Sequence, residues 1–221
     1  MELGLKQVTT ARYAKTLLEL VTHTIQLVML SFQSNPNAIH PKYLSTSRLA
    51  NGSVMIPATT YPSGTLARLI EVAVGEIGYI ETPDNITKYG AFTHHNGQPW
   101  CGSFLNWCAV QAGVKIPNVV STIDGQQYFK AVNKLFTTPK IGDLVFYNFT
   151  KGKTPEHIGL VVELDKGAIK SIEGNTSGTS SQANGGEVML KSRSLAFALS
   201  FGRPTYIPYL GALPPLTKGV K

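Results

Sequence analysis

Residues 141–174 read IGDLVFYNFTKGKTPEHIGLVVELDKGAIKSIEG. Three apolar runs, 141–149, 157–165 and 167–174, are separated by the polar turn KGKTPE and by a tight turn at Asp165–Gly167. Each run is short and rich in Val, Ile, Leu and aromatic residues, which is the pattern of β-strands joined by turns. The turn at Asp165–Gly167 fits a hairpin, so the second and third runs are expected to pair antiparallel. Two further runs, GGEVMLKS at 185–192 and ALSFGRPTY at 198–206, extend the strand-rich half.

Upstream of this stretch the period changes from strand to helix. Leu66, Leu69, Ile70, Ala73, Val74 and Ile77 recur at helical spacing. Ser63 or Thr65 can cap that helix and Gly78 can end it. Residues 79–98, broken by Pro83, Gly90 and Gly97, read as a loop. A second helix is expected from Cys101 to Ala112, stopped by Gly113, with Phe104, Leu105, Cys108 and Ala112 on its buried stripe. Asp124 followed by Gln127 resembles a capping box for a third helix through Leu135. Helices first and strands after predict an α+β domain, with helices covering one face of an antiparallel sheet.

The rest of the 221-residue chain divides by composition. Residues 1–33 read as mainly helical, and residues 34–64, with Pro36, Pro41, Pro57 and Pro62, as a linker. Residues 65–206 read as one compact domain, and the Pro/Gly-rich 207–221 as an extended tail. No internal repeat is evident. The apolar stretch 17–32 is interrupted by Glu19, His23 and Gln26. It falls short of the ~20 apolar residues that span a bilayer, so it reads as an amphipathic soluble helix and no stable membrane span is expected. A hydrophobic content of 43% is enough for a core.

The net charge of +7 lies mostly outside the central region, since 65–206 holds 13 Lys and Arg against 11 Asp and Glu. A mildly basic surface favours polyanions such as anionic wall polymers, or serves solubility alone. With no basic run and no alternation of basic with aromatic residues, nucleic acid is not an expected partner. Cys101 and Cys108 fall seven residues apart in one predicted helix. That puts their Cα atoms ~10 Å apart, beyond the ~7 Å limit of a disulfide. Neither CxxC nor HExxH spacing is present, so zinc is not expected.

A free thiol at a helix start suggests chemistry. The helix N-terminus offers partial positive charge and unpaired N–H groups. Both favour a thiolate at Cys101, the species that attacks a carbonyl. The Cys101 backbone N–H can also receive a developing oxyanion, with the Gln98 side chain as a second donor. The alternative for a free cysteine is a small buried hydrophobe, which suits Cys108 better than Cys101. His157 opens a strand directly after a polar turn, where a side chain can face a cleft and exchange protons near neutral pH. The hairpin brings Glu173 or Asn175 beside that strand, and either can hold the imidazole N–H away from the thiol. The other histidines, 23, 40, 94 and 95, read as surface residues, with His94 and His95 also able to line a groove.

Five segments in order resemble the CHAP family of cysteine–histidine-dependent amidohydrolases and peptidases: EVAVGEIGYIETPDNITKYG, PWCGSFLNWCAVQAGV, PKIGDLVFY, EHIGLVVEL and SIEGN. The resemblance covers 65–206, about two thirds of the chain. It implies a papain-like (NlpC/P60-type) α+β fold. Cys101 matches the family nucleophile, His157 its base, Glu173 the usual orienting acid and Asn175 a polar residue often found two positions later. The implied activity is peptidoglycan hydrolysis, as N-acetylmuramoyl-L-alanine amidase or as endopeptidase. The implied site of action is the bacterial cell wall, reached by a phage lysin made in the host cytoplasm or carried on a virion. Some members bind calcium through an Asp-rich loop before the cysteine. Here Asp84 and Asn85 alone make a poor oxygen cage, so no cofactor or metal is expected and full activity after EDTA is.

The groove beside Cys101 is expected to be lined by the 79–100 loop and the turn before His157. Gln98, Trp100, Tyr89 and His95 are the candidate substrate contacts, together with Tyr79. The aromatic residues have an alternative role as caps on the helix layer. A monomer is expected. Two competing functions are a non-catalytic wall-binding or virion structural module on a degenerate hydrolase fold, and an intracellular cysteine protease.

Overall fold

A computed structural model describes residues 47–48, 54–55, 61–178 and 185–217. The helical segment expected at 1–33, and most of the linker expected at 34–64, lie outside these residues. The chain divides into two units, 1–58 and 59–221. In the first, β1 (Ser47–Arg48) pairs antiparallel with β2 (Val54–Met55).

Among the described residues, the second unit places four α-helices before a six-stranded sheet. The helices are α1 (Leu66–Glu76), α2 (Lys88–Thr93), α3 (Cys101–Ala112) and α4 (Thr122–Ala131). The strands are β3 (Leu135–Phe136), β4 (Leu144–Tyr147), β5 (His157–Asp165), β6 (Ala168–Thr176), β7 (Glu187–Ser194) and β8 (Ala198–Gly202). Their order is β3-β8-β4-β5-β6-β7, and every pair is antiparallel. This is the α+β architecture expected from the periodicities. Among the described residues no helix is long and apolar enough to cross a membrane.

Strand alternation sorts the core. Phe146, Ile158, Leu160, Val162 and Ile172 pack with Leu69, Ile70, Phe104 and Leu105 of the helices. Val145, Tyr147, Val161, Ile169 and Phe201 form a second cluster with Phe149 and Leu195. β5 is apolar from Ile158 to Val162 because both of its faces are covered there. Each large side chain sealed in this way contributes on the order of 1.5–3 kcal/mol.

Local signals hold at some element ends and move at others. Thr65, not Ser63, caps α1, its Oγ1 accepting from the Arg68 N–H at 3.1 Å. The 79–98 loop contains the short helix α2, capped by Thr87 through the Gly90 N–H. Six residues are too few for a hydrophobic period to register. α4 is capped by Ser121 rather than by Asp124, which lies in its first turn and donates its own N–H to Ser121 Oγ at 3.3 Å. α4 also ends at Ala131, before Leu135. Asn133 adopts a left-handed φ of 56°, and the chain turns into β3 to pair with β8.

Candidate active site

Cys101 is the first residue of α3, and 5% of it is exposed. α1, α2 and α4 each have a Thr or Ser side chain accepting from a first-turn N–H, whereas α3 has no side-chain cap. Its leading amides therefore remain available to an anion at the position of Cys101. Gly102 follows because the chain at 119–120 presses on the helix there. A Cβ on Gly102 would sit 1.9 Å from the Val119 carbonyl oxygen. Asn106 holds that segment in place, donating to the Pro117 carbonyl at 3.0 Å and accepting from the Val119 N–H at 2.9 Å.

This packing opens a groove of about 680 Å³ at Cys101. One wall is His95, Gln98 and Pro99. The other is Asn118 and 120–124 at the start of α4, and Glu156 also lines the groove. Thr122 Oγ1 donates to the Pro155 carbonyl at 2.8 Å and ties the second wall to the turn that precedes His157. The 118–124 wall is absent from the sequence expectation. Glu156 folds back on its own turn, accepting from the Phe149 N–H at 3.0 Å and from the Thr150 hydroxyl.

His157 begins β5, opposite Tyr147 of β4. Its ring packs beside those of Tyr147 and Phe149, at 6.2 and 6.1 Å between centroids, and these two stack on each other at 5.6 Å. Its Nε2 is hydrogen-bonded to Glu173 Oε2 at 3.0 Å, and the Cys101 thiol lies near enough to act on its protonation. Because a carboxylate only accepts, Nε2 carries the hydrogen and Nδ1 is the nitrogen left for sulfur. Burial by itself disfavours the imidazolium. Cys101 and Glu173 together more than reverse this and raise the His157 pKa to about 9.

Glu173 is fully buried. Burial pushes its carboxyl up, but His157 and Arg193 outweigh this and hold it at about 2. Its position depends on a β-bulge. The hairpin starts in the register Asp165↔Ala168 and Glu163↔Lys170, then shifts between Val161 and Glu163 to Val161↔Ser171 and Leu160↔Ile172. Without the shift Leu160 would face Glu173, and the carboxylate would point to the face opposite His157. The extra residue returns Glu173 to the side that carries His157. Gly159 completes the fit, since a Cβ there would lie 2.9 Å from Glu173 Cγ.

Of the two candidates for the imidazole partner, Glu173 makes the bond. Asn175 is buried with a left-handed φ of 54°, and its Oδ1 has no hydrogen-bond partner among the described residues. Gln98 and His95 line the groove as expected, and His95 Nδ1 sits 2.6 Å from the Thr93 carbonyl oxygen.

Trp100 and Tyr89 do not contact the groove. Both are completely buried, stacked on one another at 5.3 Å, with Tyr79, Phe104 and Trp107 around Tyr89. Their polar atoms are satisfied inside, Trp100 Nε1 by Glu81 and Tyr89 OH by Glu76, each at 2.5 Å. The substrate-contact assignment for these two is therefore corrected. They cap the helix layer and seat the start of α3. Arg193, Ser171 and Gly159, all around Glu173, were not legible as site residues, because nothing in a strand sequence says which distant side chain lies across the sheet. Among the described residues no group of three or more His, Cys, Asp or Glu is placed to hold a metal ion.

Comparison with solved structures finds "Crystal structure of a wild type endolysin LysIME-EF1", at 14% identity and a TM-score of 0.37. The match covers 64% of this chain and 65% of that one. It also finds "The crystal structure of Ly7917", at 15% identity and a TM-score of 0.38, covering 63% of this chain and 62% of that one. The chain thus spans less than two thirds of the length of either. No curated protein matches it. Over residues 93–175, the stretch that carries Cys101, His157, Glu173 and Asn175, the chain matches the CHAP domain, the family its motifs resemble.

Proposed function

We propose that this protein is a peptidoglycan hydrolase that cleaves an amide bond of the stem peptide or cross-bridge, with Cys101 as nucleophile. The observation that carries the proposal is the buried line Cys101–His157–Glu173 opening onto a groove. The CHAP match over 93–175 supports the substrate class. The catalytic unit is 65–206, with 207–221 as a tail, and its site of action is the bacterial cell wall.

His157 Nδ1 takes the proton from Cys101, and the thiolate attacks the substrate carbonyl carbon. The carbonyl oxygen becomes an oxyanion and is met by the uncapped amides of α3, with Gln98 as a further donor. The intermediate collapses, the C–N bond breaks, and His157 returns the proton to the departing amine. Water, deprotonated by the same imidazole, then hydrolyses the thioester and frees Cys101. Glu173 stays ionised throughout, holding the Nε2 hydrogen and balancing the imidazolium.

The test is mass spectrometry of purified peptidoglycan digested by the wild type and by Cys101→Ser. A new amino or carboxyl terminus that appears only with the wild type supports the proposal and identifies the bond as amidase or endopeptidase. Intact walls after prolonged digestion, or equal products from both proteins, reject it.

A further inference from the structure

Every acceptor position of Glu173 is occupied. Oε2 meets His157 Nε2 at 3.0 Å and Arg193 Nη2 at 2.6 Å. Oε1 accepts from Arg193 Nε at 3.0 Å and from Ser171 Oγ at 2.6 Å. Arg193 comes from the neighbouring strand β7, where it pairs with Ile169 of β6, and reaches along β6 to the carboxylate. Its Nη2 also donates to Thr176 Oγ1 at 3.2 Å, and the guanidinium carbon stands 5.0 Å from the Phe149 ring centre. Only 7% of Arg193 is exposed.

Burying an ion pair is a poor way to stabilise a sheet, because desolvation offsets most of the attraction. An apolar pair would close the same position at less cost. What a forked guanidinium adds is geometry, since two parallel N–H bonds fix the plane of the carboxylate. The same Oε2 that one of those bonds holds is the atom that meets the imidazole.

We propose that Arg193 is a positioning residue of the cysteine–histidine site, clamping Glu173 in one orientation and keeping it ionised so that His157 holds its proton on Nε2 and turns Nδ1 to Cys101. This rests on reading Cys101 and His157 as the reactive pair. The groups around Glu173 are His157 from β5, Ser171 from β6, Arg193 from β7 with Thr176 behind it, and Tyr147 of β4 through its 2.8 Å contact with Ser171. Burial, and then Glu173 itself, push the Tyr147 phenol well above its usual range, so it stays neutral. The charges are therefore Glu173, Arg193 and the imidazolium. Without the guanidinium, a buried Glu173 takes up a proton in mild acid. The imidazolium then loses its counter-charge and Cys101 loses the cation that keeps it reactive.

Alkylation of Cys101 by iodoacetamide, followed by mass spectrometry from pH 4 to 9 on the full chain, tests this without any substrate. In Arg193→Gln the rate falls off at higher pH than in the wild type, with a loss on the order of 10-fold or more in mild acid and less at neutral pH. Arg193→Lys, which keeps the charge but not the fork, lies between. In a Glu173→Gln background Arg193→Gln adds nothing further.

An Arg193→Gln profile that superimposes on the wild type overturns the proposal. So does one lowered by the same factor at every pH, or one whose effect is undiminished in the Glu173→Gln background. Should Arg193→Gln fail to fold by near-ultraviolet circular dichroism, Arg193→Lys decides, and a profile equal to the wild type overturns the clamp. Wall lysis measured in parallel separates the two readings. A wild type that lyses no walls, with an alkylation profile still moved by Arg193→Gln, removes the substrate and leaves the clamp standing.

Discussion

Cys101 and Cys108 lie on the same helix, two turns apart, and meet opposite surroundings. Cys108 is wholly enclosed, and burial together with the nearby Glu76 carboxylate pushes its thiol well above the usual range. Lys88 only partly opposes that shift. Cys101 stands at the uncapped end of the helix, lines the groove and helps to raise the His157 pKa. The same side chain is thus inert packing at one position and a candidate nucleophile at the other. What separates them is a helix terminus, a route to solvent and one imidazole.

The largest test of this contrast is paired substitution. Cys101→Ser, or His157→Ala, is expected to lower wall lysis roughly 10³-fold or more with the fold intact. Full lysis by Cys101→Ser would erase the distinction. Glu173→Gln is expected to cost roughly 10²- to 10⁴-fold and leave a measurable remnant, because it orients the ring rather than reacting. Since Cys101 and Glu173 together raise the His157 pKa to about 9, the alkaline limb of the pH–rate profile should also move down in that variant. A limb that stays near 9 would separate Glu173 from His157.

Stability should follow pH with a definite sign. The folded His157 value of about 9 exceeds its ordinary 6.5. Its contribution is therefore complete below pH 6.5 and is lost as pH rises through about 9. Glu173, at about 2 against an ordinary 4.5, contributes fully above pH 4.5 and loses that contribution as pH falls toward 2. Thermal unfolding should show a plateau between pH 4.5 and 6.5, with losses on the order of a few kcal/mol outside it. His157→Ala should flatten the alkaline side, and an unchanged slope would contradict the assignment. The smallest effect belongs to Cys108→Ser. Wall lysis is expected to survive, while stability drops by about 1–3 kcal/mol from burying a hydroxyl in place of a thiol. Loss of lysis in a folded Cys108→Ser protein would blur the contrast.

The elements that were legible are those whose signal is local. α3 could be read from the apolar stripe of Phe104, Leu105, Cys108 and Ala112 and from Gly113 at its end. β5 and β6 could be read from their runs around a two-residue turn. α2 was hidden by its shortness, and β3 by the helical look of the residues that precede it. Trp100 and Tyr89 looked like groove residues because their loop is polar. Only the packed structure shows their rings stacked beneath α3, with Glu81 and Glu76 taking their polar atoms.

From its residues alone the chain determines an α+β order of helices then strands, a thiol at a helix start, and an imidazole at the head of a strand. These follow from hydrophobic period, turn chemistry and spacing, which act over a few neighbours. The tertiary structure alone decides that Glu173 rather than Asn175 meets that imidazole, and that Arg193 braces Glu173 from the next strand. Side-chain direction in a strand reverses with every residue, so one bulged position at 161–163 sets which face Glu173 occupies. That register is settled by packing across the whole sheet and has no local mark in the sequence.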